Sequence, residues 1–303
     1  MLPGYFPLPV LAWPWGAGGV RGIIWDILRK GKAKITVSIQ LGVIGGGVMA
    51  EAILSRLIAE KTYAPEEIIV GEPHGARRDY LQKTYQVKVS PDNQEAANVS
   101  QVLLLAVKPQ VLDRVLASLA GGANRPLVIS ILAGVSLQRI QKGFPDHAII
   151  RAMPNTPATV GAGMTAIAVN KMVEPEQLTK AKAIFSAVGS VVEVPENLMD
   201  AVTGVSGSGP AYVALMIEAL ADGGVLAGLP RAIAHKLALQ TVLGTAELIK
   251  ETEEHPAQIK DKVTSPGGTT IAGVAVLEKM GFRSAVIEAV RAAYRRSQEL
   301  GKK

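Results

Sequence analysis

The chain has 303 residues, of which 48% are hydrophobic and none is cysteine. It is therefore long enough for two domains with sizeable cores, while disulfides, thiolate nucleophiles and Cys-ligated metals are excluded. Its net charge of +6 lies mostly in residues 1–34, so the rest of the chain lacks the basic surface of a nucleic-acid-binding protein.

The remaining composition argues against a metal site and a membrane span. The four histidines are scattered and lie outside every motif described below, so we predict no metal site. Because no uninterrupted apolar run reaches about 18 residues, we expect a soluble cytoplasmic protein without a membrane partner.

Residues 1–34 differ from the rest of the chain. They contain all three tryptophans and four prolines, and their basic residues follow the apolar part instead of preceding it. A signal peptide has the opposite order and an unbroken apolar core. We therefore predict a disordered extension or a misassigned start, with a transit peptide as an alternative.

A dinucleotide-binding loop follows the first predicted strand, at residues 39–44. Gly45, Gly47 and Ala50 form a Gly-x-Gly-x-x-Ala pattern that leads into a predicted helix over residues 51–61. Gly45 makes the turn, Gly47 allows a pyrophosphate to approach the backbone, and Ala50 allows the helix to pack closely on the strand. In this context the pattern indicates a dinucleotide, without choosing between nicotinamide and flavin.

The second predicted strand, residues 68–70, is followed by groups that give conflicting indications about the cofactor. Glu72 lies where a carboxylate usually binds the adenosine ribose, which favours NADH. Arg77 and Arg78 open the next helix and could bind a 2′-phosphate, unless they are solvated surface residues. We favour NADPH with Glu72 turned aside, and NADH remains possible.

Four further apolar segments predict a parallel sheet that is covered on both faces. They are residues 87–89, 102–107, 127–132 and 148–150. The cofactor crevice of such a sheet lies at the carboxyl ends of its strands. Asn93, the segment Ala106-Val107-Lys108-Pro109 and Ala133 follow successive strands at that edge, although a lysine in such a position is commonly just solvated.

The second half of the chain is predicted to be helical. Residues 164–169 and 190–194 predict two strands at the sheet edge, and helices follow over residues 211–227, 230–251, 256–262, 270–280 and 283–300. We predict an α/β Rossmann-type domain over residues 35–196 and an all-helical domain over 197–303. Its apolar helices predict packing against a second copy, and hence a homodimer.

Residues 263–270 read Val-Thr-Ser-Pro-Gly-Gly-Thr-Thr between two predicted helices. Pro266 fixes φ, and Gly267 and Gly268 permit positive φ, so the backbone can turn sharply ahead of the next helix. N–H groups and hydroxyls gathered at a helix N-terminus favour a small carboxylate. The alternative is an ordinary turn in which a threonine caps the helix.

Five motifs, in this order, resemble the pyrroline-5-carboxylate reductase family over residues 36–300. They are Gly-Gly-Gly-Val-Met-Ala, Ala-Val-Lys-Pro, Met-Pro-Asn-Thr-Pro, Ser-Gly-Ser-Gly-Pro and Thr-Ser-Pro-Gly-Gly-Thr-Thr. The resemblance implies reduction of 1-pyrroline-5-carboxylate to proline by a nicotinamide cofactor, in a homodimer that assembles further. Glu72 departs from the small hydroxyl residue that the family typically has near this position. The Met153–Pro157 loop is expected to shape the wall of the site, without an assigned chemical role.

The resemblance also implies the roles of individual residues. The substrate carboxylate would be held by Ser265, Gly268 and Thr269, with Glu196 nearby, and Thr270 would be catalytic through its hydroxyl at the ring nitrogen. The expected cofactor-binding residues are Gly45, Gly46, Gly47, Val48, Met49, Glu72, Arg77, Asn93, Ala106, Val107, Lys108, Pro109 and Ala133.

Two other functions remain open on the sequence alone. A β-hydroxyacid-type dehydrogenase shares the plan of dinucleotide domain plus helical domain, and could use Lys108 as its acid. A nicotinamide-binding regulatory protein would bind cofactor without turnover, although the hydroxyl-rich turn argues against it.

Overall fold

The computed structural model of the protein describes residues 38–119, 122 and 124–301, so the prediction for residues 1–34 lies outside the described part. An eight-stranded sheet has the order β3-β2-β1-β4-β5-β6-β7-β8. Strands β1 to β6 are parallel, β7 joins β6 in antiparallel fashion, and β8 is parallel to β7. The strands are β1 Leu41–Ile44, β2 Ile68–Gly71, β3 Lys88–Ser90, β4 Val102–Leu105, β5 Leu127–Ser130, β6 Ile149–Met153, β7 Gly163–Val169 and β8 Gly189–Glu193.

Helices cover both faces of this sheet and then continue alone to the end of the described chain. The α-helices are α1 Val48–Ala59, α2 Gly75–Tyr85, α3 Asn93–Val99, α4 Leu112–Ser118, α5 Leu137–Gln141, α6 Pro175–Ser186, α7 Met199–Val202, α8 Gly209–Leu226, α9 Arg231–Thr252, α10 Pro256–Lys262, α11 Thr269–Lys279 and α12 Phe282–Gly301. Short 3-10 segments lie at Pro65–Glu67, Pro109–Val111, Thr156–Val160 and Glu196–Leu198, and a π-helical turn at Thr203–Gly207.

The strands are apolar throughout because both faces of the sheet are buried. In β4, Leu104 belongs to one buried cluster, while Leu103 and Leu105 belong to a second cluster. Since successive side chains of a strand point to opposite faces, these clusters are the two layers of the core. Helix α1 packs on the first layer and helix α4 on the second. The prediction of a mostly parallel, doubly covered sheet with two added edge strands is therefore confirmed.

The first helix of the helical half begins earlier than predicted, since the sequence placed it at residues 211–227. The backbone is helical from Glu196 to Leu226, and the π-helical turn Thr203–Gly207 connects α7 to α8. Gly204 and Gly207 allow close packing at this turn. A Cβ on Gly204 would lie 2.8 Å from the Val290 carbonyl of α12, and one on Gly207 would lie 2.8 Å from Met153 Cε.

The long helices after Glu196 bury few side chains. Of the 22 residues of α9, only Ala234 and Ala238 are buried, and α11 has no buried residue. The stretch Glu196–Leu226 is long and apolar enough to cross a membrane by length and composition, and 6% of its most apolar window is buried. A helix that packs against a second protein chain passes the same test, so this property alone does not indicate a membrane.

Candidate active site

The loop between β1 and α1 has the geometry expected of a pyrophosphate-binding loop. Gly45 has φ +96°, and a Cβ there would lie 2.9 Å from the Ala106 carbonyl. Gly47 is the N-cap of α1, and no heavy atom lies within 4 Å of the position that its Cβ would occupy. The helix N-terminus is therefore open on the side from which a phosphate would approach. Val48, the first residue of the helix, is 78% exposed.

Glu72 is directed toward this loop and is not turned aside as predicted. Its Oε2 accepts the Gly46 N–H at 2.9 Å, while Oε1 accepts the His74 N–H at 3.0 Å and lies 2.8 Å from His74 Nδ1. Burial raises the pKa of Glu72, but the hydrogen bonds from His74 and Gly46 outweigh burial and lower it. The carboxylate is therefore charged at neutral pH.

The two arginines are anchored beside the loop. Arg77 Nε donates to the Gly46 carbonyl at 2.6 Å, its Nη2 pairs with Glu51, and its guanidinium lies 4.9 Å from the Tyr80 ring centroid. Arg78 Nη1 donates to the carbonyls of Glu72, at 2.7 Å, and Pro73, at 2.8 Å. Neither residue is simply solvated surface, since both fix the backbone around the loop.

The other predicted cofactor residues lie along the same edge of the sheet. Lys108 and Ala133 are exposed there, beyond the carboxyl ends of β4 and β5. Asn93 begins α3, and its buried Oδ1 has no hydrogen-bond partner among the described residues. A Cβ on Gly71 would lie 2.7 Å from that atom. An acceptor left without a donor is costly when buried, so Asn93 fits a role in binding a ligand hydroxyl.

The turn at residues 263–270 has the sharp bend that its glycines predicted. Gly267 has φ +65°, whereas Gly268 has φ −79° and is the N-cap of α11 without a side-chain capping bond. A Cβ on Gly268 would collide with Ser265 Oγ, so a side chain at this position would force the Ser265 hydroxyl to rotate. Thr269 and Thr270 are the first two residues of α11, so the alternative of a threonine N-cap is not observed.

Within one chain, no hydrogen bond joins this turn to the dinucleotide loop among the described residues. Among the described residues, the hydrogen bonds that residues 263–270 form outside the regular helix pattern stay between Lys260 and Ala272. Pro266, Gly267 and Thr269 are exposed. The turn is thus a surface feature of the single subunit.

Glu196 lies at the junction between the sheet and the helices. Its Oε1 accepts the Leu137 N–H at 2.6 Å and lies 3.5 Å from Arg151 Nη1. Arg151, 7% exposed, also lies 4.0 Å from Asp200, which accepts a hydrogen bond from Ser297 Oγ at 2.7 Å. These charged and polar groups connect β6, α7 and α12.

Sequence reasoning missed two groups at this junction. Arg151 pairs with both carboxylates, and an arginine within an apolar strand was the available signal. Asn155 donates to Ser206 across the junction, and nothing in the sequence links these residues. The end of α12 closes the same edge, since a Cβ on Gly134 would lie 3.5 Å from Gly301 N. No group of three or more His, Asp or Glu residues in the described part is placed to hold a metal ion.

Comparison with known proteins identifies relatives of both halves. A family model for pyrroline-5-carboxylate reductase dimerisation matches residues 196–300, and one described as NADP oxidoreductase, coenzyme F420-dependent, matches residues 40–134. A pyrroline-5-carboxylate reductase from Synechocystis is 96% identical over 88% of this chain and all of its own length. The Escherichia coli enzyme of that name is 44% identical over 87% of this chain and 98% of its own.

Solved structures of pyrroline-5-carboxylate reductases are also similar to this chain. A pyrroline-5-carboxylate reductase from Coxiella burnetii has a TM-score of 0.82 and 38% identity, covering 88% of this chain and all of that one. A pyrroline carboxylate reductase from Plasmodium falciparum, solved with NADP bound, has a TM-score of 0.80 and 33% identity, covering 88% of this chain and 99% of its own.

Proposed function

Since the chain belongs to the pyrroline-5-carboxylate reductase family, we propose that its active site forms where the open edge of the sheet meets the turn at residues 263–270. The protein is an NAD(P)H-dependent oxidoreductase that reduces 1-pyrroline-5-carboxylate to proline and works as a homo-oligomer. The observation that carries the proposed site is the open N-terminus of α1 at Gly47, with no heavy atom near the missing Cβ.

The residues at the sheet edge fit a dinucleotide. Gly45, Gly46, Gly47, Val48 and Met49 would hold the pyrophosphate at the start of α1. The unpaired Oδ1 of Asn93 would accept a ribose hydroxyl. Toward the nicotinamide end, the proposed contacts come from Ala106, Val107, Lys108, Pro109 and Ala133.

The turn at residues 263–270 supplies the proposed substrate contacts. The N–H groups of Gly268 and Thr269 and the region of Ser265 would hold the carboxylate at the start of α11. Thr270, the catalytic residue in this proposal, would place its hydroxyl at the ring nitrogen. Glu196 would border the site from the junction, with its orientation fixed by Arg151.

Few protein groups are needed for the chemistry. The bound nicotinamide supplies the hydride, and a protonated imine accepts it without a further acid. The Thr270 hydroxyl oxygen would accept a hydrogen bond from the N–H of the protonated imine and orient it, and this bond would remain as the nitrogen loses its charge. This explains why the turn carries hydroxyls and no acid or base.

We propose NADPH as the preferred cofactor, with NADH also used. Arg77 and Arg78 lie beside the glycine-rich loop, where a 2′-phosphate would place its charge, and charge-assisted bonds to such a group are strong. Glu72 opposes this preference, because its charged carboxylate already accepts the Gly46 N–H. The positive charges of Arg77 and Arg78 therefore favour NADPH, whereas the negative charge of Glu72 favours NADH.

The proposed organisation has a Rossmann domain over residues 35–196 and a helical dimerisation and substrate domain over 197–303. Residues 1–34 would be a dispensable extension. We place the enzyme in the cytoplasm, without a membrane or nucleic-acid partner, as a homodimer that assembles into a larger homo-oligomer. Because no hydrogen bond joins the turn to the loop of its own chain and the turn is exposed in the single subunit, each site would combine the sheet of one subunit with the turn of its partner.

One assay tests the function. Loss of reduced-nicotinamide absorbance should require pyrroline-5-carboxylate and yield proline. Oxidation of hydroxy acids without action on the imine would instead indicate a β-hydroxyacid dehydrogenase. Cofactor binding with no turnover on either substrate would indicate a regulatory protein.

Mixing two impaired variants tests the shared site. Gly47→Trp blocks the dinucleotide loop where space is open, and Thr270→Val alters the turn. If sites cross between subunits, half of the sites in each mixed dimer are intact, so random exchange should restore about a quarter of the wild-type activity. No recovery after exchange proven by mass spectrometry would place each site within one chain.

A further inference from the structure

Asn155 uses its whole side-chain amide to join three segments. Its Oδ1 accepts the Met164 N–H at 2.8 Å, and its Nδ2 donates to the Ser206 carbonyl at 3.2 Å and to Ser206 Oγ at 3.3 Å. Both acceptors belong to Ser206, so the donor side of the amide is directed at this one residue. The residue follows β6, Met164 lies in β7, and Ser206 lies in the π-helical turn Thr203–Gly207.

The π-helical turn Thr203–Gly207 connects the sheet to the helical half. Helix α8 begins two residues after it, and α12 packs against it so closely that a Cβ on Gly204 would lie 2.8 Å from the Val290 carbonyl. Met153, two residues before Asn155, fills the space beside Gly207 from the sheet side. A displacement of Ser206 would therefore move both helices relative to the sheet.

The two ends of this connection belong to the two parts of the proposed site. Strands β1, β4, β5 and β6 are parallel, so the carboxyl end of β6 lies on the edge that carries the dinucleotide loop. Helix α12 follows α11, whose first residue is Thr269 in the substrate turn. Asn155 thus lies between the element that holds the cofactor and the helices that present the turn.

We infer that Asn155 is a positioning residue for hydride transfer, which acts by fixing the π-helical turn against the sheet. Reacting atoms must approach to roughly 3–3.5 Å, and a misplacement of about 1 Å can lower the rate about a hundredfold. Asn155 does not touch the substrate in this proposal. Because the subunits pair through their helical halves, its amide sets how the cofactor edge of one subunit meets the substrate turn of its partner.

The chain offers a matched control at the other end of β6. Asn170 Oδ1 accepts the N–H groups of Ile149, at 3.1 Å, and Met172, at 3.2 Å, and its Nδ2 donates to the His147 carbonyl at 3.0 Å. This side chain has the same chemistry and the same number of hydrogen bonds. Asn170 lies at the amino-terminal end of β6, whereas the cofactor edge is formed by the carboxyl ends of the parallel strands. Its loss should therefore lower stability without changing the hydride-transfer geometry.

The test compares Asn155→Ala, Asn155→Asp and Asn170→Ala in the full-length enzyme. Asn155→Asp keeps the acceptor for Met164 and removes both donors, so it retains the fold if the alanine variant does not. Both Asn155 variants should lower kcat by roughly ten- to hundredfold, with the Kd for NADPH unchanged. The isotope effect on kcat with deuterium at the transferred position should rise, because hydride transfer becomes the slow step.

A second measurement needs no cofactor. Amide hydrogen exchange in residues 203–209 should accelerate in both Asn155 variants and stay at the wild-type rate in Asn170→Ala. Near-normal kcat in Asn155→Asp, an unchanged isotope effect, or exchange in this segment equal to that of Asn170→Ala would each overturn the assignment.

Discussion

Two helices show how differently the halves of this molecule are built. Helix α1 in the sheet half has 12 residues and buries Ala50, Ala52, Ile53, Leu54 and Leu57, whereas α9 has 22 residues and buries only two alanines. Most of the large apolar side chains that are exposed in the single chain lie after Glu196. Exposed apolar surface on this scale marks an interface. The sheet half completes its own core, and the helical half needs a second copy.

The largest expected effect comes from placing a charge on the helical surface. Leu237 in α9 is 53% exposed in the single chain, and we expect Leu237→Glu to separate the dimer, because a buried carboxylate without a partner is costly. The dimer Kd should rise at least about a hundredfold, equivalent to about 3 kcal/mol. Sedimentation and the dependence of Tm on protein concentration measure this change.

Met172 provides the matched control in the sheet half, because it is 44% exposed in the single chain. Met172→Glu should leave both the mass and the Tm near wild type. A dimeric Leu237→Glu variant, or dissociation of both variants, would contradict the proposal that the subunits pair through the helical half alone.

The second effect concerns the substrate turn of the helical half. Thr270→Val keeps the shape of the side chain and removes its hydroxyl, which should cost roughly 1 to 3 kcal/mol in the transition state. The value of kcat/KM for the imine should fall roughly ten- to hundredfold, with cofactor affinity unchanged. Thr269→Val is the control, since only its N–H group is proposed to act. Normal turnover by Thr270→Val with a lowered Tm would leave Thr270 a structural role only.

The third effect belongs to the sheet half. Glu72→Gln removes a negative charge beside the glycine-rich loop and should raise the ratio of kcat/KM for NADPH to that for NADH by about tenfold. Replacing both Arg77 and Arg78 with alanine should shift the ratio in the opposite direction. Steady-state kinetics with both cofactors measure these changes. Equal ratios in all three proteins would show that the adenosine ribose binds elsewhere.

The smallest effect is expected from residues 1–34. Their removal should change kcat/KM and Tm hardly at all, because terminal extensions of this composition contribute little burial. Melting curves of the full-length and shortened proteins test this. A decrease in Tm of several degrees would show that the tryptophans pack on one of the halves.

The sequence predicted those features that depend on local chemistry. The pattern at Gly45 and Gly47 predicted the dinucleotide-binding loop, and continuous apolar segments predicted the parallel strands. The bend at Gly267 followed from its neighbours, although Gly268 has negative φ and lies close to Ser265. In each case, the residues that determine the feature are adjacent in the chain.

Features that depend on distant partners could not be predicted in this way. Glu72 was expected to turn aside, but Gly46 lies 26 residues earlier and its N–H holds the carboxylate in place. Asn155 and Ser206 are 51 residues apart, and their hydrogen bonds depend on where the π-helical turn packs. Asn155 and Asn170 look alike in the sequence, and only the fold places them on opposite edges of the sheet.

The end of α12 affects how this protein can be engineered. Gly301 lies against Gly134, so the last described turn of the chain adjoins the edge where cofactor is expected to bind. A bulky label attached within the last turn of α12 would therefore lie next to this edge and obstruct it. Residues 170–173 follow β7 on the opposite edge, so a short label inserted there would keep the crevice clear.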